Sequence, residues 1–200
     1  MEENQIKGYI LEEYLKKFLK QQGYAQIPPE IEKSYNIIRE GNNVMIKGRG
    51  AKHQIDALGQ FEYQIPFVYP IRLLTEAKFW DCPIGIEVIR NFVGVLKDVS
   101  ENYFIDTFDQ LPEKQRSRLI DVAAIFSTSP FSSNAQMYAY AHGIYLVQCT
   151  QLKQEINRIY DSLLRSEEIL WCNPAALRTH DPVVQFKSGM SDFHHLFLVN

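Results

Sequence analysis

The chain has 200 residues, of which 46% are hydrophobic and 22% charged, with a formal net charge of −3. This is the composition of a folded globular chain long enough to bury a sizeable core, and it excludes a disordered or collagen-like one. It also excludes a basic field over the whole molecule, so any contact with nucleic acid is expected from a local patch.

Residues 8–23 carry Leu11, Tyr14, Leu15, Phe18 and Leu19 at helical spacing, which predicts an amphipathic helix closed by Gly23. The stretch 25–42, with Pro28-Pro29 and Gly41-Asn42, reads as irregular. Short strands are expected at 44–47 and 54–58, separated by Gly48 and Gly50. Residues 71–78 (IRLLTEAK) form the best buried strand, apolar first and charged at its end. A helix is expected from Pro83, on Val88, Ile89, Phe92, Val93 and Leu96. Residues 101–118 are less regular and read as a short strand plus an insertion. A strand at 122–126, a small-residue helix at 132–142 closed by Gly143, a strand at 144–147 and a helix at 151–166 follow. The order predicts an α/β sandwich, a central mixed sheet flanked by helices. Residues 1–166 read as the core domain and 167–200 as a C-terminal extension.

Cys82, Cys149 and Cys172 are widely spaced and no CxxC occurs, which speaks against a disulfide framework or a zinc ribbon and suits a reducing cytoplasm. No apolar run reaches the roughly 18 residues of a membrane span, and the acidic, polar start MEENQIKGY is unlike a signal peptide.

The candidate chemistry lies in two strands. Asp56 sits in His53-Gln54-Ile55-Asp56, and Glu76 and Lys78 end the strand 71–78. Residues two apart on a strand share a face, so Glu76 and Lys78 point the same way. If the two strands are neighbours, Asp56 lies beside Glu76, and two carboxylates and an ammonium share a small volume. Two close carboxylates repel, and a hard divalent cation such as Mg²⁺ relieves that repulsion while keeping several waters. One such water, lowered in pKa, is a nucleophile, and a lysine alongside can orient it or stabilise charge developing on a phosphate. The set suits hydrolysis of a phosphodiester, and a structural salt bridge is the competing reading.

Four segments in order resemble the Mrr-like restriction endonucleases of the PD-(D/E)xK nuclease superfamily. They are Gly8-x-x-Leu11-Glu12 opening a helix that ends at Gly23-Tyr24; Gly48-Arg49-Gly50-x-x-His53-Gln54-Ile55-Asp56; Glu76-Ala77-Lys78 with the helix bearing Arg90 and Gly94; and Phe126-Ser127-Thr128-Ser129 with Phe131, Ala135 and Ala139, then Gly143-Ile144-Tyr145-Leu146. The resemblance implies a restriction-endonuclease-like fold and a Mg²⁺- or Mn²⁺-dependent DNA endonuclease acting in restriction or defence. It further implies Asp56, Glu76 and the Ala77 carbonyl as metal ligands, Lys78 as catalytic lysine, and Glu12 as an acidic support from the first helix. Isoleucine replaces the proline expected before Asp56, and 60–70 makes a longer hairpin than usual.

Around this set, Arg49, Lys52, His53 and Gln54 are candidates for holding DNA, the first three in a basic, glycine-punctuated turn that suits a backbone-phosphate clamp or is simply solvated. Ser127, Thr128 and Ser129 are candidates for hydrogen bonding to phosphate or, alternatively, for capping the next helix. A non-catalytic nucleic-acid or partner-binding module, and a nuclease for structured DNA or RNA, remain alternatives. A homodimer and a fused or partner specificity domain are expectations that name no interface.

Overall fold

The structure is a computed structural model that describes residues 3–41, 43–63, 65–100 and 118–165. The expected insertion at 101–118, apart from Arg118, and the extension at 167–200 lie outside the described residues.

Helix α1 (Glu3–Gln21) starts earlier than the periodicity predicted, because Ile6 and Ile10 extend the same buried stripe as Leu11, Leu15, Phe18 and Leu19. It stops at Gly23, whose φ of 81° is the left-handed conformation that favours glycine after a helix. Strand β1 (Tyr24–Ala25), helix α2 (Pro29–Glu32) and a 3-10 turn (Lys33–Tyr35) lead into β2 (Ile37–Glu40), β3 (Asn43–Lys47) and β4 (Lys52–Gln54). Strands β5 (Ala57–Phe61) and β6 (Ile71–Lys78), helix α3 (Ile86–Ser100), β7 (Ile120–Ser127), α4 (Ser133–Ala141), β8 (Ile144–Gln148) and α5 (Thr150–Arg165) complete the order.

The main sheet runs β1-β5-β6-β7-β8, with β6, β7 and β8 parallel and the rest antiparallel. Strand alternation splits its side chains between two cores. Leu73, Ala124 and Phe126 meet α1 and α5 on one face; Leu74, Ala123 and Ile125 meet α3 and α4 on the other. The α/β sandwich with a mixed central sheet flanked by helices is the architecture the sequence predicted.

Strands β2, β3 and β4 form a separate antiparallel sheet that buries Ile37 and Ile46 against the second core. Three expectations are corrected here. Residues 25–42 hold β2 as well as irregular chain. Residues 54–58 are not one strand: Ile55 N–H still donates to the Val44 carbonyl of the small sheet (3.0 Å), whereas Ala57 already pairs with Thr75 of the main sheet. Asp56 therefore stands at the crossing between sheets, and Gln54 belongs to a different sheet from β5. The start of α3 is also later than Pro83, because Ile84 is engaged in a bridge to Phe131 and takes its N–H to the Pro130 carbonyl (2.8 Å).

Candidate active site

The register of β5 and β6 brings the two carboxylates together. Ala57 faces Thr75 across the ladder, so Asp56 and Glu76 follow as the next neighbours. Thr75 is buried and its Oγ1 donates to the Ala57 carbonyl (2.8 Å), which locks this register from the side chain as well. One Asp56 oxygen accepts the Ala77 N–H at 2.8 Å, and the Lys78 ammonium is ion-paired with Glu76. The site thus combines Asp56, Glu76, the Ala77 peptide and Lys78 at one end of two paired strands.

Glu12 faces this group from α1. Its pKa is pushed up to about 7, first by burial and then by the negative charges of Asp56, Glu13 and Glu76, against the lowering effect of Lys16. Asp56 is pushed up to about 6 for the same two reasons, burial first and the Glu76 charge second; the Ala77 N–H, Lys78 and Lys16 oppose the shift. These carboxylates repel one another in a half-dry environment, the condition that a divalent cation relieves.

Among the described residues no three His, Cys, Asp or Glu side chains stand close enough to form a cage by themselves. The side chains that could hold a cation here are the Asp56 and Glu76 carboxylates, both hard-oxygen donors, with Glu12 on α1 near them. Such a set suits Mg²⁺, which is bound through one or two carboxylates and retains its waters.

The remaining predicted residues lie around this group. His53 Nε2 pairs with Asp98 Oδ2 of α3 (2.8 Å), and the same carboxylate accepts the N–H groups of Gly50 (2.8 Å) and Ala51 (3.2 Å). The Arg49 N–H donates to the Asp98 carbonyl (2.9 Å). A Cβ at Gly48 would collide with that carboxylate, so this turn is pinned to the end of α3 and glycine is required for the close approach. Lys52 pairs with Glu40 across the small sheet (2.7 Å). Asp98 thus joins this turn to the end of α3, the exposed Lys52 pairs with Glu40, and Gln54 ends β4 outside the site strand. Ser127, Thr128 and Ser129 are 0–2% exposed. Ser127 and Ser129 hydroxyls meet at 3.2 Å, and Thr128 donates its N–H to the Lys78 carbonyl (3.1 Å). Buried and engaged, these three brace the strand end that carries Lys78; the cap of α4 is Ser132, accepting from the Ala135 N–H (3.3 Å).

Sequence reasoning passed over four side chains near the site. A cavity of about 320 Å³ opens beside Asp56 between α1 and the small sheet, with Lys16, Lys20 and Arg39 on its walls. Lys16 pairs with Glu13 (2.7 Å) and Arg39 with Glu32 (2.8 Å). The signal was present in the spacing: Glu12, Lys16 and Lys20 recur every fourth residue and so share a stripe of α1. The fourth is Trp80, two residues beyond Lys78, whose ring lies under the Lys78 ammonium at 5.9 Å.

No family model and no curated protein matches the chain. Two solved structures share a loose likeness of shape. One is a protein of unknown function, AF1548, at 19% identity and a TM-score of 0.43, aligned over 69% of this chain and 56% of that one. The other is MspJI restriction endonuclease in complex with a 27-mer oligonucleotide, at 13% identity and a TM-score of 0.36, over 82% of this chain and 32% of that one. The chain therefore spans about half and about a third of these two proteins. Among the described residues no helix is long and apolar enough to cross a membrane.

Proposed function

We propose that the chain is a metal-dependent nuclease that hydrolyses phosphodiester bonds in DNA. The observation that carries this reading is the convergence of Asp56, Glu76 and Lys78 on the paired ends of β5 and β6, with the Ala77 peptide between them. Asp56, Glu76 and the Ala77 carbonyl would hold Mg²⁺ or Mn²⁺. Bound there, the ion would supply a water of lowered pKa and a counter-charge to the phosphate.

The protein's own groups do the rest. Lys78 is the cation at the site; once Glu76 is engaged elsewhere, its ammonium is available to a non-bridging phosphate oxygen or to the attacking water. The water oxygen bonds to phosphorus and its proton passes to solvent, the bond to the leaving deoxyribose oxygen breaks, and that oxygen takes up a proton from solvent. Glu12 keeps the site acidic from α1 without adding a direct ligand. Action on foreign or modified DNA is the biological role that the resemblance implies.

A plasmid cleavage assay with Mg²⁺ and with Mn²⁺, on methylated and unmethylated DNA, tests the reading. Wild type is expected to cut, and Lys78→Ala is expected to fold and bind DNA yet fail to cut. A wild type that leaves DNA intact under every condition, or a Lys78→Ala variant as active as wild type, sinks it in favour of a binding module.

The groove beside Asp56 is the path we assign to the DNA backbone, in place of the turn at 48–53. Surface ion pairs such as Lys16–Glu13 contribute little and exchange readily for a phosphate. Counterion release gives a slope of about −0.9 in log affinity per neutralised phosphate on a log salt scale. The double variant Lys16→Gln/Lys20→Gln is therefore expected to flatten the salt dependence of DNA binding, measured in EDTA, by close to 2. An unchanged slope would remove the groove from the DNA path.

A further inference from the structure

Phe79 and Trp80 follow the catalytic strand but face opposite ways. Phe79 packs with the core under α1 and α5, where Lys7 lies 5.9 Å from its ring. Trp80, two residues past the end of β6, lies on the side of the site, with its ring 5.9 Å from the Lys78 Nζ and the residue 40% exposed. A large aromatic at this exposure is ordinary when isolated, but this one is placed beside the catalytic lysine and its backbone is held from several directions. Its carbonyl accepts from Lys153 Nζ (3.4 Å) and lies near Thr128 Oγ1 (3.5 Å). The next residue, Asp81, pairs with Lys153 at 2.6 Å. The indole is therefore presented on a braced segment rather than on a free loop.

We propose that Trp80 is the surface on which a nucleobase next to the cleaved phosphate stacks, an assignment that rests on the nuclease reading above. An indole offers any base a π-face without regard to sequence. A base within a continuous duplex has both faces covered by its neighbours. Stacking on Trp80 therefore calls for a base that has left the stack, and the substrate class this favours is DNA that is gapped, frayed or locally opened at the cleaved step. The Lys78 ammonium sits over the same ring, so base and phosphate of one nucleotide are received by two adjacent side chains.

The test uses fluorescein-labelled duplexes in Ca²⁺, one with a short gap of unpaired thymidines and one with abasic residues in the same gap. Trp80→Ala is expected to bind the thymidine gap on the order of 10-fold more weakly than wild type and the abasic gap equally well. Trp80→Phe is expected to retain most of the affinity. In a Trp171→Phe background, which leaves Trp80 as the remaining tryptophan, the thymidine gap is expected to quench the emission and the abasic gap to quench it less. Equal affinity of wild type and Trp80→Ala for the thymidine gap overturns the assignment, as does a wild type that binds neither duplex. Loss of cleavage in Lys78→Ala with unchanged binding in Trp80→Ala leaves the nuclease reading standing and removes the stacking role alone. A quench without any cleavage by wild type removes the nuclease reading and keeps the stacking surface.

Discussion

Replacing Asp121 by alanine is expected to remove about 3–5 kcal/mol of folding stability, enough to unfold most of a marginal domain at physiological temperature. The reason lies under the sheet. Arg72 on β6 is 2% exposed, and its guanidinium is bound by both Asp121 oxygens, at 2.7 and 3.0 Å, and by the Tyr35 carbonyl at 2.6 Å. The two residues face each other in the parallel ladder, and the Asp121 side chain is 4% exposed. Removing the carboxylate leaves a guanidinium that cannot lose its proton and cannot reach water. Urea denaturation monitored by circular dichroism measures the loss. The pair is not itself an expected source of net stability, so Arg72→Met/Asp121→Leu should recover most of it. A loss below about 1 kcal/mol in Asp121→Ala would mean that the guanidinium is solvated and that the ladder does not enclose it.

Asp56→Asn is expected to do two opposite things: to lower cleavage by about 1,000-fold or more, on the scale of deleting a principal electrostatic contact, and to stabilise the metal-free protein at pH 8. On the proposed nuclease reading, the cleavage loss follows from removing one of the carboxylates that would hold the cation. The stability gain follows from linkage. The Asp56 pKa is raised from 3.8 to about 6 and that of Glu12 from 4.5 to about 7, so the folded chain holds these protons more tightly than the unfolded chain does. The stability this contributes is complete below about pH 4 and is lost as the pH rises through 6 to 7. Glu12, Glu76, Lys78 and Lys16 face Asp56 and set the size of the effect. Asparagine carries no charge to desolvate and its carbonyl oxygen can still accept from the Ala77 N–H. In EDTA the variant is expected to exceed wild type by roughly 2–3 kcal/mol at pH 8 and by little at pH 4. Mg²⁺ should raise the melting temperature of wild type and leave that of Asp56→Asn unmoved. A variant no more stable than wild type at pH 8 would show that Asp56 is comfortably ionised and that the site is not poised for a cation.

Much of this was legible before the fold was seen, and the pattern of what was not is physical. Strand 71–78 was readable to the residue, because a central strand reads as a mostly apolar run, here broken by Arg72 and finished by the charged Glu76 and Lys78. The pairing of Asp56 with Glu76 followed from strand geometry once β5 and β6 were neighbours. The crossing at Ile55 and Asp56 was not readable, since one short alternating run looks the same whether its halves serve one sheet or two. The tie between the basic turn at 48–53 and α3 was not readable for a related reason. The turn's charges were local, but Asp98, which engages it, is some 45 residues away. The Arg72–Asp121 pair escaped notice entirely, as a buried arginine in an apolar strand carries no sequence mark of its partner.

The sheet crossing has a consequence for how such a chain can change over generations. The position of Asp56 is fixed from two sides, by the ladder Ile46–His53 of the small sheet and by the ladder Ala57–Thr75 of the main sheet. Lengthening the β2–β3 hairpin at its exposed Gly41 tip disturbs neither ladder. Gaining or losing one residue at 55–56 would turn the carboxylate to the other face of the sheet. The small sheet is thus the part of the molecule that can be lengthened without moving Asp56, and the two-residue joint beneath it is where a single insertion would separate Asp56 from Glu76 and leave the fold standing.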